Sequence, residues 1–356
     1  MNFAQRPGRR FARVLIGGVA LAATGCGSDG PLGPDAKRYQ VSSPERIYDL
    51  GAAQDLGIPQ GLGLDINDAG TVVGGKPGAQ GTTAFSWTRA GGVTDLGSPG
   101  GGWWTTAFAI NGSGQVVGAA IAQGSSLPAA YLRSATATFR AVGLGTFSIA
   151  NAVNDAGVVG GHADAAGRVR AFRWSAESGP VFLADRGGDF NSVRSINESG
   201  DAVGLFNTPQ ESVSRAAFWN AAGELRELPR LPGGAYASAQ AINNGGLVVG
   251  LGYTSTGESH GVVWHPDGRV EDIGTLGGPS SIAVGVNDLG EVVGSSEDTT
   301  DGELHAFFWT AESGMLKLPG LPGAKFTSAE RINENGQIVG YSGGSVVLWQ
   351  ITRPTR

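Results

Sequence analysis

The sequence predicts an all-β fold, a seven-bladed β-propeller with four short antiparallel strands per blade. Three observations predict it. Glycine makes up 61 of 356 residues, one motif recurs seven times at nearly constant spacing, and the two ends of the chain carry complementary parts of that motif. Glycine at about twice its usual share marks a chain full of tight turns, since glycine takes positive φ without strain. An apolar fraction of 40% exceeds that of a disordered chain, and no strict G-x-y period is present, which excludes collagen. No run of 18 apolar residues occurs, so no segment reads as a membrane-spanning helix. A formal net charge of -6 weighs against a nucleic-acid partner.

The chain opens with an export signal over residues 1–25. Arg6, Arg9, Arg10 and Arg13 form a basic start, and Val14 to Ala23 form an apolar stretch too short to stay in a bilayer. Small residues follow, Ala23-Thr24-Gly25, and then the single cysteine, Cys26. This junction resembles the lipobox of bacterial lipoproteins. The resemblance implies cleavage before Cys26, lipid attachment there, and a membrane-anchored place in the bacterial cell envelope or outside the cell. Loss of the four arginines takes the formal charge to -10. Residues 26–44 are the lipidated cysteine and a Gly-, Ser- and Pro-rich tether.

The repeats occupy residues 45–350 and leave 351–356 as a tail. Each copy has an apolar residue, Asn-x-x-Gly, an apolar pair and glycine. The anchors are Asn67, Asn111, Asn154, Asn197, Asn243, Asn287 and Asn333, at intervals of 44, 43, 43, 46, 44 and 46 residues. Each unit reads as four strands. The first runs into Asn, as in Ala239-Gln240-Ala241-Ile242. Asn and Gly then form a tight turn. The second strand is the apolar pair, as in Leu247-Val248-Val249-Gly250, and the third carries Ala-Phe-x-Trp, as in Ala171-Phe172-Arg173-Trp174. A second hairpin leads to the fourth, such as Val93-Thr94-Asp95-Leu96-Gly97. Four short strands in about 44 residues is the size of a propeller blade.

The seventh unit stops after its third strand, Val346-Val347-Leu348-Trp349, while Arg46-Ile47-Tyr48-Asp49-Leu50-Gly51 near the N-terminus matches a fourth strand. An N-terminal strand that completes the last blade closes the ring and removes both exposed sheet edges. The column of Trp87, Trp174, Trp219, Trp264, Trp309 and Trp349, interrupted by Arg133, is expected to pack against neighbouring blades. These repeats resemble the HAF-type extracellular repeat family of bacteria, on His305-Ala306-Phe307 followed by Phe308-Trp309; Thr83, Arg170, His260 and Ser345 hold the first position in other copies. The resemblance implies export and transfers no catalytic residue.

Four histidines and one cysteine leave little material for a metal or nucleophilic site. His260 and His305 share a repeat column, without the further ligands that a metal would need, and His162 and His265 fall outside it. The stretch Glu297 to Glu303 lacks the alternation of an EF-hand and reads as a solvated loop tip, with weak cation binding left open. No catalytic residue, metal or cofactor is assigned. Asp65 and Glu330 are the axial carboxylates on adjoining blades, and Asp65, Arg194, Gln240, Glu330 and Arg331 stand where other blades carry apolar residues. That scatter fits a polar channel or neutral drift.

Seven residues before the anchors stand Gln60, Trp104, Phe147, Phe190, Tyr236, Ser280 and Phe326, in connections that emerge at one end of a propeller. Trp103 lies beside them and belongs to no repeat column. Aromatic faces with neighbouring hydroxyls and amides suit a sugar or peptide ligand, while the same positions can also plug gaps between blades. Trp103, Trp104, Phe147, Phe190, Tyr236 and Phe326 are thus the ligand-binding candidates, and Cys26 the lipidation site. The expected function is noncatalytic recognition or scaffolding by a monomer, toward a polysaccharide or an envelope protein, with a glycan-acting hydrolase or lyase and a purely structural envelope component as alternatives.

Overall fold

The computed structural model describes residues 48–354. The leader, Cys26 and the tether lie outside them. Seven four-stranded antiparallel sheets form a seven-bladed propeller. In blade 1 the strands are Leu62–Ile66, Val72–Pro77, Thr82–Thr88 and Gly92–Asp95. Blades 2 to 6 repeat this order over residues 104–141, 148–182, 191–227, 237–272 and 277–317. In blade 7, Thr327–Ile332, Gln337–Ser342 and Ser345–Gln350 are completed by Gln54–Pro59. The first strands touch one another in turn around the axis, blade 7 meeting blade 1.

The N-terminus closes the ring as expected, but with a different segment. The pairing strand is Gln54–Pro59, with Asp55 opposite Val347, instead of residues 46–51. Asp55-Leu56-Gly57 repeats Asp49-Leu50-Gly51 six residues later, so both segments match the fourth-strand pattern. The structure uses both. Tyr48 packs on Phe308 with ring centroids 5.0 Å apart, and Asp49 exchanges main-chain hydrogen bonds of 3.1 and 2.9 Å with Thr352. The end of the chain is fastened too: Arg353 forms a two-pronged pair with buried Glu291 at 2.7 and 2.8 Å.

Every first strand carries a β-bulge, for example between Val193 and Ser195, which leaves one residue per blade without a partner in the second strand. The glycine that ends the apolar pair faces this bulge. A Cβ on Gly204 would lie 1.9 Å from the Ser192 carbonyl oxygen, so no other residue fits there.

The anchor asparagines do more than turn the chain. Each Oδ1 accepts the main-chain N–H four residues on, as from Thr71 to Asn67 at 3.0 Å. Each Nδ2 donates to the main-chain carbonyl of the next blade's anchor, at 2.9–3.3 Å. A second, broken ring lies beside it. The residues after the anchors accept the corresponding N–H of the preceding blade, from Gly112 to Asp155 through Glu334 to Asp68. Gly112 has no side chain to complete it.

The six tryptophans of the third-strand column are all buried. Trp264 of blade 5 packs among Val203, Ala216 and Leu228 of blade 4, and Trp349 of blade 7 among Phe308 and Leu318 of blade 6. Three indoles also donate to carbonyls of the preceding blade: Trp219 to Ala184, Trp264 to Pro229 and Trp349 to Pro319, at 2.6–2.8 Å. Arg133, where the column breaks, keeps the donor and sends Nε to the Leu96 carbonyl at 3.1 Å.

Candidate functional site

Antiparallel order places the blade-to-blade connections and the second-to-third turns at one end of the ring, opposite the asparagine turns. Two sets of side chains meet there. One comes from the unpaired bulge position: Leu64, Phe108, Asn151, Arg194, Gln240, Val284 and Glu330, all partly exposed on the innermost strands. The other comes from the connections.

The connection residues differ in fate. Trp104 is buried, at 8% exposure, in a cluster with Ala119, Ile121 and Ile149, against which Phe147 packs. It is a packing residue. Ser280 is buried and Gln60 exposed. Phe147, Phe190 and Tyr236 are half-buried, and Phe326 and Trp103 stand 40% and 49% exposed. The partly exposed rings are held by main-chain bonds, their carbonyls accepting N–H groups of Asp164, Asn207, Tyr253 and Gly343 respectively for Phe147, Phe190, Tyr236 and Phe326.

His162 brings two of these rings together. Its centroid lies 5.7 Å from both Phe147 and Phe190. Its Nδ1 lies 2.9 Å from Ser192 Oγ and 3.3 Å from Asn151 Nδ2, an amide that can only donate. Nδ1 therefore accepts and the ring is neutral. Burial, with the Arg194 charge adding to it, pushes the imidazole down to about 3. Arg194 also neighbours Tyr236, which packs on Tyr253 at 5.0 Å. The site thus spans blades 3 to 5, with Phe326 apart from it on Tyr341 of blade 7. His162 belongs to no repeat column, which left it without a role in the sequence. The one signal was its place directly after the bulge-facing Gly161, on a strand whose other polar residue is Asp164 near its end.

The axial carboxylates have structural partners. Asp65 accepts main-chain N–H groups of Ile66 at 2.9 Å and of Ile110 in blade 2 at 2.8 Å, with Arg331 Nε at 4.0 Å. Burial raises its carboxyl to about 6 against those stabilising contacts. Burial also raises Glu330, which accepts from Ser328 at 3.2 Å. Arg331 donates to the carbonyls of Val284 and Glu330, at 2.8 Å each.

The acidic loop lies farther out, beside a depression of about 430 Å³ bordered by Asp301, His305, Lys317 and Leu321. Asp298, Asp301 and His305 bring ligand-type atoms within 4.8 Å of one another. Lys317 Nζ is 2.9 Å from Asp298 and 3.8 Å from Asp301, so an ammonium stands where a cation would sit. The Asp298 carboxyl is held down to about 2, burial opposing the N–H and O–H of Thr300 and the Lys317 charge. His260 and His305 do not converge, each pairing with an aspartate of its own blade at 2.8 Å, Asp272 and Asp301.

The chain matches no family model and no curated protein. Its fold is similar to that of oligogalacturonate lyase from Vibrio parahaemolyticus, at a TM-score of 0.57 and 10% identity over 85% of this chain and 96% of that one. Streptogramin B lyase gives a TM-score of 0.52 at 12% identity, over 86% and 98%. A catalytically inactive virginiamycin B lyase from Staphylococcus aureus with quinupristin gives 0.52 at 10%, over 86% and 100%. At these identities the likeness shows the propeller fold alone.

Proposed function

We propose that this protein is a noncatalytic recognition propeller of the bacterial cell envelope, exported as a lipoprotein on Cys26, which binds a polysaccharide at the connection end of its ring. The grouping of the partly exposed Phe147, Phe190 and Tyr236 about buried His162, beside the partly exposed amides of Asn151 and Gln240, carries the reading. Partly exposed aromatic faces stack on the CH-rich sides of sugar rings, and adjacent amides bond their hydroxyls. Both oxygens of Asp65 already hold main-chain N–H groups, which leaves that carboxyl poorly free for acid–base work and favours binding over turnover. The test is a glycan-array and calorimetric screen of the protein beside Phe190→Ala and Tyr236→Ala. Saturable binding that falls at least tenfold in folded variants supports the reading. Unchanged affinity in both variants overturns the site, and turnover of any bound glycan overturns the noncatalytic assignment.

A second reading, docking of an envelope protein, rests on the large exposed side chains Trp103 and Phe326 at the same end of the ring. It predicts that Trp103→Ala weakens capture of an envelope protein and leaves glycan binding intact.

A further inference from the structure

Arg194 stands out among the arginines of the described residues. Arg168 and Arg170 pair with Asp185, Arg215 with Glu211 and Glu227, and Arg353 with Glu291. Arg133, Arg173 and Arg331 donate to main-chain carbonyls. Arg194 has none of these partners: the side chain is partly exposed at the connection end, while its Nε is fully buried with no hydrogen-bond partner. Among the described residues no carboxylate lies within ion-pair distance of it. Its ionisable neighbours are His162, which is neutral, Tyr236 and a second cation, Arg331. A guanidinium carries five donors and stays protonated, so a buried Nε without an acceptor, on a cation with no carboxylate beside it, is costly unless an anion arrives.

The position of Arg194 says what kind of anion. It is the bulge residue of blade 4, on an innermost strand, with the Phe147–His162–Phe190 rings toward blade 3 and Tyr236 toward blade 5. The amides of Asn151 and Gln240, both partly exposed, hold the corresponding bulge positions of blades 3 and 5 on either side of it. A planar fork of N–H donors matches a carboxylate, and ring faces at its side match the sugar that bears it. We propose that Arg194 is a carboxylate-binding residue, and that the polysaccharide taken by this propeller is an acidic one whose uronate group closes onto the guanidinium. This rests on the recognition reading above and narrows it to a ligand class.

The experiment is isothermal titration of the full chain with hexamers of galacturonic, glucuronic and mannuronic acid, each beside its methyl ester, which keeps the sugar and removes the charge. The expected result is that one acid binds at least tenfold more tightly than its ester. Arg194→Gln should lose that preference and bind acid and ester alike, while Arg194→Lys keeps part of it. Thermal melts verify that both variants fold. Equal binding of acid and ester by the wild type, or an undiminished preference in Arg194→Gln, overturns the carboxylate assignment and leaves polysaccharide recognition standing. Binding of neutral glycans alone has the same meaning. No binding of any saccharide overturns both.

Discussion

Asn333 Nδ2 donates to the main-chain carbonyl of Asn67 at 2.9 Å, across 266 residues of chain. It is the seventh and closing member of a ring in which each anchor amide ties its own turn with Oδ1 and the next blade with Nδ2. All seven side chains are buried. Aspartate offers the acceptor without the donor, and serine reaches one partner, so only an amide of this length satisfies both ends. The repeat therefore preserves the bond between blades as well as the turn.

Replacement of Asn333 by Asp keeps the turn and sets a carboxylate against the Asn67 carbonyl. A loss of about 1–3 kcal/mol in unfolding free energy is expected, the cost of a buried polar group without its partner. The exposed Gln210→Glu, an amide-to-acid change in a turn away from the ring, serves as a control, expected within about 0.5 kcal/mol of wild type. Urea unfolding followed by tryptophan fluorescence decides, and equal midpoints for the two variants would remove the ring from the account of stability.

Trp219 and Arg133 occupy the same column and send an N–H to the preceding blade. Trp219→Ala is expected to cost about 3–5 kcal/mol, since a fully buried indole leaves a cavity. Arg133→Leu loses a single hydrogen bond and is expected to cost about 1 kcal/mol. Comparable losses in the two variants, measured by denaturant titration, would contradict the division of labour between packing and donation.

The closing strand is tested by truncation. Removal of residues 1–47 takes away no pairing seen in blade 7, and the melting temperature is expected to hold. Removal of residues 1–60 strips Gln54–Pro59 from Ser345–Gln350 and exposes a sheet edge. Loss of cooperative melting, or association into larger species on gel filtration, is expected. A 1–60 deletion that melts like the intact protein would show that the ring holds without its clasp.

Repetition decided what was legible in the sequence. Blade number, strand order and the buried tryptophans follow from seven copies of one pattern, each constraining the others. The asparagine ring was hidden because its donor and acceptor sit 43–46 residues apart, and a turn already accounts for Asn-x-x-Gly. The closing strand was displaced by six residues because Asp49-Leu50-Gly51 and Asp55-Leu56-Gly57 are the same tripeptide. Asp49 stands 18 residues before its anchor and Asp55 stands 12, against 16 from Asp95 to Asn111. Spacing favours the wrong copy, and only the sharp bend at Gln60, with φ of +56°, lets the nearer one serve. Arg194 could be seen to depart from its column, but that it lacks an acceptor depends on what blades 3, 5 and 7 place beside it. His162 gave only its place beside a bulge-facing glycine, and a lone histidine on a largely apolar strand is ordinary until the rings of Phe147 and Phe190 are found on either side.

Those surroundings make His162 a source of pH dependence. Its folded value, about 3, lies below the 6.5 of an unfolded histidine, so from pH 6.5 downward the unfolded chain takes up a proton that the folded one refuses. Stability from His162 is complete above pH 6.5 and is lost as pH falls toward 3, at about 1.4 kcal/mol per unit. Asp65 acts with the opposite sign. Its folded value, about 6, lies above 3.8, so the folded chain binds the extra proton and gains stability as pH falls from 6 toward 4. In the wild type the two slopes oppose each other over pH 4–6. His162→Gln removes one of them, while an amide can still meet Ser192. The variant is therefore expected to lose less stability than wild type, or to gain it, between pH 6.5 and 4.5, with urea midpoints as the measure. Parallel pH profiles for the two proteins would mean that His162 is protonated in the folded state, and the neutral ring between Phe147 and Phe190 would have to be given up.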